Sequence, residues 1–122
     1  MHTVRIAVPV DRGSEDAEVF EHFGRAPYYM IVEVKNNKIS KIEYIKNPFV
    51  EHSPGEIPRM LREHNVSIVI CMGIGRRARL FFSEYGIEVI SGAMGRAIEC
   101  VEKYLRGELR SIEYRPKTRW HH

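Results

Sequence analysis

The chain has 122 residues, with 19 lysines and arginines against 16 aspartates and glutamates, a net charge of +3 and a pI near 9.0. That is the length of one domain, enough to bury about two-thirds of the unfolded surface without disulfide or metal staples. No apolar run is long enough to span a membrane and no signal peptide opens the chain, so a cytoplasmic protein is expected.

The charge divides unevenly. Residues 1–109 hold fifteen basic and fifteen acidic side chains, and four basic residues against Glu113 in 110–122 supply the whole excess. Basicity that would point to nucleic acid therefore belongs to a short end segment rather than to the folded body. The expected organisation is one domain over 1–109 and a basic tail over 110–122. Glutamine is absent while Glu, Lys and Arg are plentiful, a bias of thermophilic sources. Cys71 and Cys100 fall in a predicted strand and helix without zinc or iron–sulfur spacing, so both are read as core residues.

Residues 4–10 predict a first strand, ended by Pro9 and the turn-forming 11–14. Residues 15–27 lack a period, and a loop this long in an economical domain is usually functional or disordered. Phe20 and Phe23 flank His22 there, which favours a packed loop. Residues 28–34 and 39–45 predict strands joined through Asn36 and Asn37, which tolerate positive φ in a hairpin. An irregular stretch over 49–55 carries His52. The next helix has Pro58 in its first turn and Ile57, Met60, Leu61 and His64 on its inner face.

Residues 66–72 form an apolar run typical of a parallel strand buried on both faces. Gly73-Ile74-Gly75 breaks it, and 76–85 predicts a helix with Ala78, Phe81, Phe82 and Tyr85 facing inward until Gly86 stops it. A short strand over 87–90 leads to a second glycine turn, 91–95, and a last helix over 96–106 ended by Gly107. Ala97, Ile98, Val101, Tyr104 and Leu105 form its inner face. From residue 111 the periodicity fades, and a mobile or loosely docked tail is expected. Strands alternating with helices after a hairpin predict an α/β fold: a three-layer α/β/α arrangement, with a five-stranded mixed sheet and helices on both faces.

Open sheets of this kind bind ligands outside the carboxyl ends of parallel strands, near the point where strand order reverses. Three segments leave the sheet at that end and bring His22, Arg25, Arg76, Arg77 and Arg96 towards one crevice floored by backbone amides. Arg76, Arg77 and Arg79 stand in the first turn of a helix, where cations are disfavoured by about 0.3–1 kcal/mol each. Either they lean away to pair with surface carboxylates, or an anion relieves them at the exposed amides. His22 is either a solvated loop residue or a source of one metal bond. Gly73-x-Gly75-x-x-Ala78 matches a short dinucleotide fingerprint, but position 93, where an acid is required, is alanine. A metal-dependent nuclease would need clustered carboxylates, and Asp11 is the one obvious candidate. No Gly-x-Ser-x-Gly elbow is present.

Four segments then occur in a telling order: residues 6–10 (Ile-Ala-Val-Pro-Val), 22–29 (His-Phe-Gly-Arg-Ala-Pro-Tyr-Tyr), 73–78 (Gly-Ile-Gly-Arg-Arg-Ala) and 92–97 (Gly-Ala-Met-Gly-Arg-Ala). With Gly107-Glu108-Leu109 closing the domain, the chain resembles the dinitrogenase iron–molybdenum cofactor biosynthesis family, the NifX-like domain also found at the end of NifB-type proteins. The resemblance implies a ribonuclease H-like fold without ribonuclease activity. It also implies carriage of an anionic iron–sulfur-type cluster or a nitrogenase cofactor precursor, with His22 as the metal ligand and protein donors and acceptors of the cluster as partners. The family's histidine-containing glycine-rich segment is matched only in part by His52-Ser53-Pro54-Gly55.

Two functions follow. The first is a non-catalytic carrier in which Arg25, Arg76, Arg77, Arg96 and the glycine turns (Gly73, Gly75, Gly92, Gly95) hold the charge of the cluster, while His22 adds a metal bond. Two separated thiols could not hold an iron–sulfur centre unaided, which suits a carrier that releases its cargo. The second is a regulatory or scaffold domain that binds a phosphate-containing small molecule at the same amides.

Overall fold

Asn36 (φ 51°) and Asn37 (φ 66°) take the left-handed conformation at the centre of a two-residue hairpin loop. The hairpin joins strands β2 (Tyr28–Lys35) and β3 (Lys38–Lys46), which with β1 (Thr3–Val10), β4 (Ile68–Ile70) and β5 (Glu88–Ile90) form one five-stranded sheet. A computed structural model describes residues 3–48 and 55–112; His52 and the tail from 113, including His121 and His122, lie outside the described residues. The helices are α1 (Glu56–Glu63), α2 (Arg76–Glu84) and α3 (Ala97–Leu105).

The strand order is β3-β2-β1-β4-β5. β1 pairs antiparallel with β2 and parallel with β4, β2 pairs antiparallel with β3, and β4 pairs parallel with β5. The sheet is therefore mixed, and its order reverses at the β1/β4 boundary. Alternation along the strands makes two cores. Ile6, Val8, Met30, Val32 and Ile70 pack with Ala97, Cys100 and Val101 of α3. On the other face Ala7, Tyr29, Ile31 and Val69 pack with Ile57 and Leu61 of α1 and Phe82 of α2. The result is three layers, with α3 on one face and α1 and α2 on the other. No helix among the described residues is long and apolar enough to cross a membrane.

Several boundaries differ from the sequence expectation, each for a local reason. β1 starts one residue earlier than expected, at Thr3, and reaches Val10 as expected; its pairing with β4 involves only Ile6 and Ala7 and so makes no demand on an amide at Pro9. β4 is shorter than 66–72, because Val66 gives its N–H to the Leu61 carbonyl (3.1 Å) and closes α1 instead. Arg96 is extended (φ −67°, ψ 130°) and caps α3 rather than opening it. Of the inward face expected for α2, only Phe82 is buried; Ala78, Phe81 and Tyr85 are half-buried, and the Arg62 guanidinium lies 4.6 Å from the centre of the Tyr85 ring.

Candidate functional site

The long loop after β1 is packed, and backbone hydrogen bonds lace it across the carboxyl ends of the parallel strands. The Phe20 N–H donates to the Pro9 carbonyl (2.9 Å) and the Asp11 N–H to that of Glu18 (3.1 Å). Further along, the Gly73 N–H donates to the Glu21 carbonyl (3.0 Å) and the Phe23 N–H to the Gly73 carbonyl (3.1 Å), so His22 and Gly73 form a parallel bridge. Asp11 helps to hold the loop: its carboxylate accepts from the Glu18 N–H at 3.0 Å and from Arg12 at 3.1 Å. Burial pushes the Asp11 pKa up, but these bonds outweigh it and leave the group below its ordinary value.

Phe23 anchors the loop from beneath. It is buried, with its ring 5.5 Å from that of Tyr29 and 5.4 Å, edge-on, from that of Phe82. The Tyr29 hydroxyl donates to the Phe23 carbonyl (2.6 Å), and the Asn47 side chain to that of Ala26 (2.9 Å). The short 3₁₀ turn Phe23–Arg25 is thereby fixed, with Arg25 exposed at its end and His22, side chain 60% exposed, at its start. The His22 Nε2 lies 3.8 Å from Glu21.

The two glycine turns are used differently. At the first, Gly75 precedes α2, and the first donor inside the helix is Arg79, whose N–H reaches the Gly75 carbonyl at 3.1 Å. The amides of Arg76, Arg77 and Ala78 therefore have no intrahelical acceptor, and no acidic residue stands in this turn. They open on a pocket of about 530 Å³, walled by Phe23, Ile57 and Pro58 and floored by Gly24, Gly75 and the start of α2. Arg76 and Arg77 line it. At the second turn the loop has taken one of the three equivalent amides: the Ala97 N–H donates to the Ala17 carbonyl (3.0 Å), and the Gly95 carbonyl accepts from Val19 (2.8 Å). Arg96 bridges to Glu18 through its backbone and stands 4.0 Å from Glu99 through its guanidinium.

The expected site residues thus fall into two groups. Gly75, Arg76 and Arg77 share the pocket, with Gly73, His22 and Arg25 on the adjoining loop. Gly92, Gly95 and Arg96 belong to the second turn, beyond the strip 17–19. Sequence reasoning missed the apolar walls: Phe23, Ile57 and Pro58 carry the signature of core residues, and only the fold shows that they border open space. Both cysteines are buried and free. Burial pushes the Cys71 thiol up to about 12 and raises that of Cys100, so neither offers a thiolate at neutral pH. No group of three or more His, Cys, Asp or Glu side chains among the described residues is arranged to hold a metal ion.

A family profile described as dinitrogenase iron–molybdenum cofactor matches residues 4–107. An uncharacterised protein of Methanocaldococcus jannaschii is 30% identical over 113 residues, covering 90% of this chain and 92% of its own length. Among solved structures, the crystal structure of PH0822 superposes with a TM-score of 0.81 at 32% identity, covering 88% of this chain and 94% of its own. The apo form of the orange protein from Desulfovibrio gigas shares the fold, with a TM-score of 0.77, 20% identity and coverage of 91% and 94%.

Proposed function

The chain belongs to the dinitrogenase iron–molybdenum cofactor family, and we propose that it is a non-catalytic carrier of an anionic iron–sulfur-type cluster or nitrogenase-type cofactor precursor. The observation that carries this reading is the first glycine turn, where amides without an intrahelical acceptor and two arginines open on a pocket beside an exposed histidine. The donor set fits a preassembled cluster that keeps its own bridging ligands. One imidazole can add one metal bond, while Arg25, Arg76, Arg77 and the amides after Gly73 and Gly75 meet the negative charge. Arg96, Gly92 and Gly95 add positive field from farther off. With both thiols protonated, the cargo is held without a full set of covalent ligands, which suits release to an acceptor.

The reading takes the fold as ribonuclease H-like without nuclease chemistry, the setting as the cytoplasm, and the partners as proteins that donate and accept the cluster. The folded unit is taken as 1–109, with 110–122 as an appended basic segment. Anaerobic exposure of the pure protein to a preassembled iron–sulfur cluster, then desalting, tests it. The expected result is retained iron and sulfide in near-stoichiometric amounts, with visible absorption, and a marked loss in His22→Ala without unfolding.

A second reading is favoured by the pocket walls. Phe23, Ile57 and Pro58 beside helix amides suit a phosphate-containing molecule with an apolar body. It predicts a rise in Tm with phosphate esters, through linkage, that His22→Ala leaves unchanged.

A further inference from the structure

The end of β5 is covered by the chain's own residues 111 and 112. The Ser91 N–H donates to the Ser111 Oγ (3.0 Å), and the Ser91 hydroxyl donates to the Ile112 carbonyl (2.8 Å). The two serine hydroxyls stand 3.2 Å apart, and the Ile112 N–H donates back to the Ser91 carbonyl (2.9 Å). Ser91 is consequently 4% exposed. The strap lies directly on Gly92 (φ +87°), where a β-carbon would collide with the Ile112 Cγ1 and meet its carbonyl oxygen at 2.9 Å. Yet Ile112 is 60% exposed. Among the described residues, hydrogen bonds to Ser91 alone hold residues 111 and 112, with Ile112 mostly exposed, and such a contact opens at small cost. The strap also lies beyond the residues matched by the family profile, which end at 107.

We propose that the Ser91–Gly92 turn is an anion-binding site that the strap keeps closed. The Ser111 Oγ and the Ile112 carbonyl oxygen occupy the places of two acceptor atoms of a ligand. Lifting them leaves the Ser91 N–H and Oγ–H as paired donors at the carboxyl end of a parallel strand, where open sheets bind ligands. The ligand is an anion with several acceptor atoms, whether the oxygens of a phosphate or the sulfides of a cluster. Strap and ligand exclude each other, so the apparent affinity falls by the fraction of chains that are open, and bound ligand must in turn loosen the strap. The inference goes beyond the carrier reading and requires no cluster.

The test uses the full chain carrying Ser111→Ala with Ile112→Pro, which removes the hydroxyl acceptor and the strap's amide donor. Inorganic phosphate is titrated while amide resonances are followed. The expected result is faster hydrogen exchange at the Ser91 amide and phosphate binding about tenfold tighter than in the wild type. The shifts should centre on Ser91 and Gly92, and adding Ser91→Ala should remove the gain. Equal affinity in both chains, or a gain whose shifts centre on Arg76 and Arg77, overturns the proposal. A parallel arm uses a preassembled iron–sulfide cluster. Gains in both arms support the site and extend its ligands to clusters. A gain with phosphate alone supports it as an oxyanion site, and cluster retention by neither chain then counts against the carrier reading only.

Discussion

The two glycine turns share one sequence logic and reach different states. Each follows a short parallel strand, each ends in a glycine, and each puts an arginine at the start of a helix. At the first, the amides that begin α2 face a pocket. At the second, the loop takes the Ala97 amide and the strap takes Ser91. A helix N-terminus is a ready anion site only while nothing else in the molecule has answered its donors. The segment 17–23 makes the difference, because it pairs with both turns yet leaves the first open.

The largest effect expected is from Phe23→Ala. The ring locks the loop to Tyr29 and Phe82, and its loss should cost about 3–5 kcal/mol in urea unfolding. The asymmetry between the turns should break down with it, since the register of His22 on Gly73 depends on this anchor. Next comes a paired glycine test. Gly95 has φ +93° and open space above it, so Gly95→Ala should cost about 1–2 kcal/mol from backbone strain alone. Gly75 has φ −73° and equally open space, so Gly75→Ala should stay within about 0.5 kcal/mol. Equal losses would mean that the turns are more alike than their backbones indicate.

Cys71 joins the turns, giving its N–H to Ile90 (2.8 Å) and accepting from the Ala93 N–H (3.0 Å). Burial raises its thiol from 9.0 to about 12 in the folded chain. The unfolded chain therefore loses the proton first on going alkaline. The contribution to stability is full below pH 9.0, declines above it and is lost as the pH passes about 12. The unfolding free energy from urea titrations should fall between pH 8 and 10 by roughly 1 kcal/mol, and Cys71→Ala should flatten that slope. A small effect of the opposite sign should come from Arg76→Glu or Arg77→Glu. Replacing a cation at the positive end of α2 should stabilise the chain by about 0.5–1 kcal/mol while weakening anion binding. Stability and binding moving in opposite directions would mark these arginines as residues kept for a ligand.

Much of this was legible in the sequence. Strand and helix order, the Asn36-Asn37 hairpin, the packed state of the loop around Phe23 and the burial of both cysteines all follow from period, turn chemistry and residue type. The local departures came where one residue serves two elements, as when Val66 closes α1 instead of extending β4. The site was harder to read because availability is a tertiary property. Nothing in residues 91–97 announces that Ala17 and Ile112 will claim their polar groups, and Phe23, Ile57 and Pro58 look the same from sequence whether they face a core or a pocket.

The most direct test compares retention of iron and sulfide in three variants after anaerobic loading with a preassembled iron–sulfur cluster and desalting. His22→Ala and the double variant Arg76→Glu/Arg77→Glu alter the open turn, and Arg96→Glu alters the closed one. The account predicts heavy loss of retained cluster in the first two and a small loss in the third, with all three folded by circular dichroism. Full retention in the first two with loss in the third would contradict it.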